Sequence, residues 1–244
     1  MSELAGAPVA DKGLMARVVG MVTAPGDTLR AVIQFPRPVG VLLLVCLALA
    51  VATAGPQFTE KGRRAMLEMQ VQQTERFTGQ PVPPEAYARM EQQAASFGPY
   101  LTLVGIFVMV PITTLIFTGL YWAGFNAFLG GTGTFKQVLA IVTHSQVITA
   151  IGALVSAPIQ YLQSVVTPGG PFSLVALAPM LDPDGFAASF LGMLTVFQIW
   201  SVVVTAIGLA LLYRRKTGSV FAVLLVVHVL ITAAFAALPF LFSR

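Results

Sequence analysis

The sequence predicts an all-α protein: a polytopic transmembrane helix bundle of five spans that carries an extramembrane helical hairpin. Composition is the first reason. Of 244 residues, 56% are hydrophobic and 10% charged, with a mean hydropathy of +0.82, whereas ordinary soluble domains are about a quarter charged. The second reason is that apolar runs long enough to cross a hydrocarbon core recur five times, each bounded by proline, glycine or charge. The third is one polar interval of helical periodicity between the first two runs. The formal charge of +4 is small, and the basic residues sit at the ends of apolar runs instead of forming a stripe, which points to membrane orientation and away from nucleic acid.

Residues 1–38 read as a cytoplasmic, amphipathic N-terminal segment. Leu14, Val18, Met21 and Val22 fall at helical spacing, with Lys12 and Arg17 on the other side. After the break Ala24-Pro25-Gly26, Asp27 or Thr28 is placed to cap a second short helix with Leu29, Val32, Ile33 and Phe35 on one side, stopped by Pro36. Such basic amphipathic pieces ahead of a first span are surface anchors more often than docking helices. Glu3 and Asp11 precede the first apolar run, so a cleaved signal peptide is not expected.

The first span is Val39–Gly55, near the lower length limit for crossing. Residues 56–97 change character, with five basic and five acidic residues. Met66, Met69, Gln73 and Phe77 share one helical side, and Tyr87, Met90, Ala94 and Phe97 another. Between them lies the turn Thr78-Gly79-Gln80-Pro81-Val82-Pro83-Pro84. A helical hairpin inserted outside the membrane follows. The second span, 99–129, contains Pro111 and ends in a mixture of aromatic and small residues in which Tyr121 and Trp122 suit an aromatic belt. Gly130, Gly131 and Gly133 make a tight turn, after which Thr134 is placed to cap the third span, 135–163. The connection 164–185 includes an apolar piece, Phe172 to Leu177, too short to cross and therefore re-entrant or interfacial. The fourth span, 186–213, runs uncharged from an acidic turn at Asp182 and Asp184 to the basic exit Arg214-Arg215-Lys216. The fifth occupies 220–242.

Counting Lys and Arg places Lys12, Arg17, Arg30, Arg37, Lys136 and Arg214–Lys216 on one side, while the connection 164–185 carries none. The positive-inside bias then puts the N-terminus in the cytoplasm and, after five crossings, Arg244 outside.

Polar residues inside the spans are the candidates for chemistry. His144 and His228 lie at membrane depth, where an ionisable group is a functional candidate by default. Two imidazoles with no intramembrane carboxylate or usable thiol make a poor metal site, and Cys46 is the chain's single cysteine. Neutral histidines bonded to neighbouring helices fit better. Trp122, Asn126, Gln146, Gln198 and Trp200 are further candidate polar, lipid or ligand contacts, although amides in spans also serve as interhelical partners. The run Gly130-Gly131-Thr132-Gly133-Thr134-Phe135 lacks the Gly-Lys-Ser/Thr ending of a phosphate loop, and no nucleophile elbow is present. No catalytic residue, metal or cofactor is expected.

Two segments resemble the Yip family of Rab/Ypt-interacting membrane proteins. Residues 129–154 are similar to its aromatic-ended second span, glycine turn and Phe-Lys-Gln start of the third; residues 190–216, with Phe197, Trp200, Ser201, Ile207 and Gly208, are similar to its Phe-x-x-Trp-Ser span. Residues 24–36 resemble the short proline-containing helix ahead of its first span. The sequence departs from the pattern in the 56–97 insertion and at His144-Ser145. The resemblance implies a five-span fold and, since eukaryotic relatives bind small GTPases and organise vesicle membranes, an adaptor role; the Ala- and Val-rich composition and the insertion look bacterial. The reading is a non-catalytic scaffold, adaptor or accessory subunit in a bacterial inner membrane, contacting lipid and a membrane-protein partner or its own copies. The alternative is a transporter or lipid-moving protein with a crevice between spans two, three and four, suggested by Pro111, Pro158 and the apolar 172–177 piece.

Overall fold

The computed structural model describes residues 11–128 and 130–242, so expectations for the first ten residues, Leu129 and Arg244 lie outside it. Among the described residues every regular element is helical, apart from one isolated antiparallel bridge between Ser173 and Thr195. The helices are α1 (Leu14–Thr23), α2 (Pro25–Gln34), α3 (Pro38–Ala54), α4 (Glu60–Thr78), α5 (Pro84–Ser96), α6 (Gly98–Ala123), α7 (Phe135–Gln163), α8 (Phe186–Met193), α9 (Val196–Tyr213) and α10 (Thr217–Phe242). Among the described residues, four helical stretches are long and apolar enough to cross a membrane: Gly98–Ala127, Phe135–Gln163, Val196–Tyr213 and Thr217–Leu241. Pro38–Ala54 is apolar but shorter, at 17 residues.

The chain forms two compact units. Of the described residues, one gathers those within 11–45, 109–149 and 200–224; the other gathers those within 46–108, 150–199 and 225–242.

In the first unit, α2 starts one turn earlier than its expected cap. Pro25 takes the first helical position, where its missing N–H costs nothing. Thr28 is fully buried and accepts a 3.3 Å bond from Lys12 Nζ. Gly20 of α1 lies directly against the Thr28 side chain, so the two short helices approach as closely as a residue without Cβ permits. Met21, Leu29, Ala31 and Val32 are fully buried in protein. Of the residues expected on the two apolar faces, Met21, Leu29 and Val32 pack inside the unit, whereas Leu14, Val22 and Phe35 are exposed, as are Met15 and Val19 of α1. Arg17, expected on the polar side, is 2% exposed.

The C-terminal turn of the second span is a π-helical segment, Gly124–Phe128, and not a continued α-helix. Thr134 caps α7 as its sequence position implies. Its N–H donates to Gln137 Oε1 at 3.0 Å and its hydroxyl accepts from Gln137 N at 3.3 Å, a reciprocal capping arrangement. Helix α7 is the most enclosed of the four long helices, with 61% of its most apolar stretch buried against 11% for the Gly98–Ala127 helix.

In the second unit, Thr59 caps α4 by accepting from Gly62 N at 3.1 Å. Gly79, at φ 68°, ends that helix in the left-handed conformation its sequence position favours. Helices α4 and α5 pack against each other as the hairpin. Arg76 near the hairpin's turn donates to Pro183 O at 3.1 Å and pairs with Asp184 at 3.2 Å, tying the hairpin to the acidic turn ahead of α8.

The fourth span departs from expectation. Residues 186–213 are not one helix: α8 ends at Met193, Leu194 is extended, and α9 begins at Val196. Long-range backbone pairing is the reason. Leu194 O accepts from Leu174 N at 2.8 Å, and Thr195, once released, caps α9 through a 3.1 Å bond from Gln198 N. The 172–177 piece that supplies this pairing is two short 3-10 turns, Gly170–Phe172 and Leu174–Leu177, held by an edge-on contact of Phe172 with Phe197 at 5.3 Å.

Candidate functional site

The sequence-selected residues fall in both units: Trp122, Asn126, His144, Gln146 and Trp200 in the first, Gln198 and His228 in the second. Trp122 and Asn126 do meet: Trp122 Nε1 and Asn126 Nδ2 both donate to Gly133 O, at 3.0 and 2.8 Å. Tyr213 closes the same corner, its ring stacked on Phe125 at 4.9 Å and 15°. A Cβ on Gly131 would lie 2.5 Å from the Tyr213 ring, and one on Gly133 would lie 2.9 Å from the Tyr213 hydroxyl. The glycines are thus required by close packing of the turn against the end of α9.

Deeper in the same unit, Gln146 of α7 bonds across to Thr114 of α6 at 2.9 Å. Ser201 of α9 donates to Ser145 O at 2.9 Å. His144 is fully buried, with Nδ1 2.7 Å from Ala140 O. Because a carbonyl only accepts, Nδ1 carries the proton and Nε2 presents a lone pair. That lone pair, and the buried Thr118 hydroxyl, have no hydrogen-bond partner among the described residues. An unsatisfied buried polar group costs about 1–3 kcal/mol. His144→Leu is therefore expected to leave stability unchanged or raise it by about 1 kcal/mol, read as thermal unfolding in detergent; a loss of several kcal/mol would show that the imidazole carries a bond essential to the fold.

Trp200 belongs to this unit and is partly exposed, whereas Gln198 and His228 belong to the other. Gln198 contributes its backbone N–H to the Thr195 cap. Among the described residues, no three His, Cys, Asp or Glu side chains cluster closely enough to hold a metal ion.

The residue that sequence reasoning missed is Arg17. Its guanidinium donates to Lys12 O at 2.7 Å through Nε, to Phe35 O at 3.0 Å through Nη1 and to Asp11 at 2.6 Å through Nη2, while Arg37 pairs with the other Asp11 oxygen at 2.9 Å. One side chain thereby ties the start of α1 to the end of α2. Amphipathic spacing gave no signal for it, because the partners are two backbone carbonyls and a carboxylate ahead of the helix.

Long apolar helices, polar groups paired across and within them, and short capping helices define a polytopic helical membrane protein. The chain belongs to the Yip1 domain family, whose model matches residues 19–238. It is also similar to the membrane protein YknW of Bacillus subtilis (strain 168), with 24% identity over 201 residues that cover 82% of this chain and 78% of that protein. No solved structure matches.

Proposed function

We propose that the protein is a non-catalytic scaffold or accessory subunit of a membrane complex, resident in the cytoplasmic membrane of a bacterium. The observation that supports this reading best is how the polar side chains within the spans are used. Thr114 with Gln146 and Ser201 with Ser145 O join helix to helix, and Thr143, Ser145 and Ser156 each donate to a carbonyl four residues back. The first two bonds join helices, the other three satisfy hydroxyls within α7, and together they leave few groups to handle a solute. Contacts with a membrane-protein partner or a second copy would then come from outer surfaces, including the hairpin, where Phe77 and Tyr87 are exposed.

In this reading α3 is a fifth span. Its 17 residues reach about 26 Å at about 1.5 Å per residue, short of a ~30 Å core, so neighbouring apolar residues or local thinning complete the crossing. The N-terminus is cytoplasmic, and the hairpin and C-terminus are outside. A reporter active only in the cytoplasm, fused after Arg244, is expected to be silent, and one fused before residue 11 to be active; the opposite pattern overturns the topology.

A second reading, a transporter or lipid-moving protein working through a crevice between the second, third and fourth spans, draws on the break at Leu194–Thr195 and on the unpartnered Thr118 hydroxyl and His144 Nε2. Replacing His144 and His228 together separates the two. Under the scaffold reading partner association survives; loss of activity with unchanged folding favours the second.

A further inference from the structure

The first unit has an uneven charge balance. Its basic residues are Lys12, Arg17, Arg30, Arg37, Lys136, Arg214, Arg215 and Lys216, and its acidic residues among those described are Asp11 and Asp27. Both carboxylates are already engaged, Asp11 by Arg17 and Arg37 and Asp27 by Arg30. Lys136, Arg214 and Lys216 are exposed and have no acidic partner among the described residues.

These charges stand on a built frame. The turn that precedes Lys136 is clamped by Trp122 and Asn126 through Gly133 O and by the packing of Tyr213 over Gly131 and Gly133. Phe135, adjacent to Lys136, meets Trp122 edge-on at 6.1 Å. Arg214 follows Tyr213 directly and adopts φ 52°, a left-handed conformation that glycine takes without strain and arginine does not. Arg215 N closes the helix end on Ala210 O at 2.9 Å. A basic residue in the last turn of α9 would complement the helix dipole without that strain, so the geometry points to a use for the charge at this particular place. Trp and Tyr beside it are the residues that settle at headgroup depth.

We propose that Lys136, Arg214 and Lys216 form a fixed cationic site for the phosphate of anionic lipid headgroups in the leaflet they face. The site is an ordered one, distinct from the diffuse attraction of a flexible basic tail, because its side chains branch from two segments joined by the packing of Tyr213 on Gly131 and Gly133, and the glycine turn is in turn held to the end of the second span through Gly133 O.

The test uses the full-length protein in mixed detergent micelles containing equal amounts of phosphatidylglycerol and phosphatidylcholine, with retained lipid counted by native mass spectrometry. Wild type is expected to retain phosphatidylglycerol preferentially, with the preference falling as salt rises. The combined variant Arg214→Gly, Lys136→Gln and Lys216→Gln is expected to lose about 100-fold in preference, at about fivefold for each charge removed. Its unfolding in phosphatidylcholine alone should match or exceed wild type, because glycine relieves the left-handed position. Arg89→Gln, on α5 in the other unit, should leave the preference intact. Equal retention of the two lipids by wild type, an undiminished preference in the combined variant, or an equal loss in Arg89→Gln overturns the proposal. Lys216→Glu alone gives a second variant that leaves the frame untouched, and a preference unchanged in it counts against the site.

Discussion

Gly208→Leu is expected to leave little folded protein in detergent extracts. Gly208 is the point at which α9 meets α7 and α2: a Cβ there would lie 2.5 Å from Ile141 Cγ2 and 3.1 Å from Leu29 Cδ2. Ile141 and Leu29 are both fully buried, so a side chain added here must displace core atoms. Over-packing a filled core costs about 1–3 kcal/mol for small additions, which sets the expectation for Gly208→Ala, and leucine adds three more carbons at the same place. A glycine in mid-helix is itself unfavourable by about 0.5–1 kcal/mol relative to alanine, so if the contact were loose, alanine would stabilise. Unfolding temperature by intrinsic fluorescence, compared across Gly, Ala and Leu, reads the result. A variant series that rises in stability would show that this three-helix junction is not packed as described.

Arg17→Met is the second large effect. The substitution keeps the aliphatic stem but removes every donor of the guanidinium, leaving Lys12 O and Phe35 O short of partners and Asp11 with Arg37 alone among its two cationic partners. Removing one member of a buried pair costs about 3–5 kcal/mol. Asp11 is about one-third exposed, with a side-chain accessibility of 34%, and water recovers part of that, so about 2–4 kcal/mol is expected. The loss should be local at first. Limited proteolysis is expected to cut within residues 11–37 of the variant while α6, α7 and α9 stay protected. Arg17→Lys should rescue partially, because an ammonium keeps the ion pair with Asp11 but cannot reach two carbonyls in the guanidinium's fork geometry. Equal protease resistance in wild type and Arg17→Met would show that burial of the apolar residues Met21, Leu29 and Val32 holds α1 and α2 without the arginine.

The parts of this fold legible in the sequence were those fixed locally. Thr134 after a glycine turn marks the start of α7, whose bounds coincide with the expected span, and the turn from Thr78 to Pro84 separates α4 from α5 because Gly79 supplies the left-handed end and Pro84 the new helix start. What failed were features set by partners distant in sequence. Near Leu194 only Gly192 and Thr195 weaken a helix, and neither is enough to mark a break within an apolar run; Leu174, twenty residues earlier in the chain, completes it by donating to the Leu194 carbonyl. The burial of Arg17 depends on Phe35 O, eighteen residues away, and hydrophobic periodicity assigns a charged residue to the wet face by default. Likewise the candidate polar residues were identifiable as residues, but whether Gln146 lines a path or pairs with Thr114 is decided by the register of two helices. Which apolar residues of α1 and α2 turn inward was likewise not legible, because Gly20 admits the Thr28 side chain and Met21, Leu29 and Val32 are buried while Leu14 and Val22 stay exposed.

The central claim is that the polar groups within the spans bind helices to one another and serve the protein's role as a non-catalytic membrane component. Reconstitution of purified protein into vesicles, with solute flux and fluorescent-lipid translocation followed together, tests it most directly. Rates equal to those of protein-free vesicles are the result this account predicts. Protein-dependent movement of a solute or lipid that is abolished by Thr118→Val with His144→Leu, in a variant that unfolds at the wild-type temperature, would contradict it.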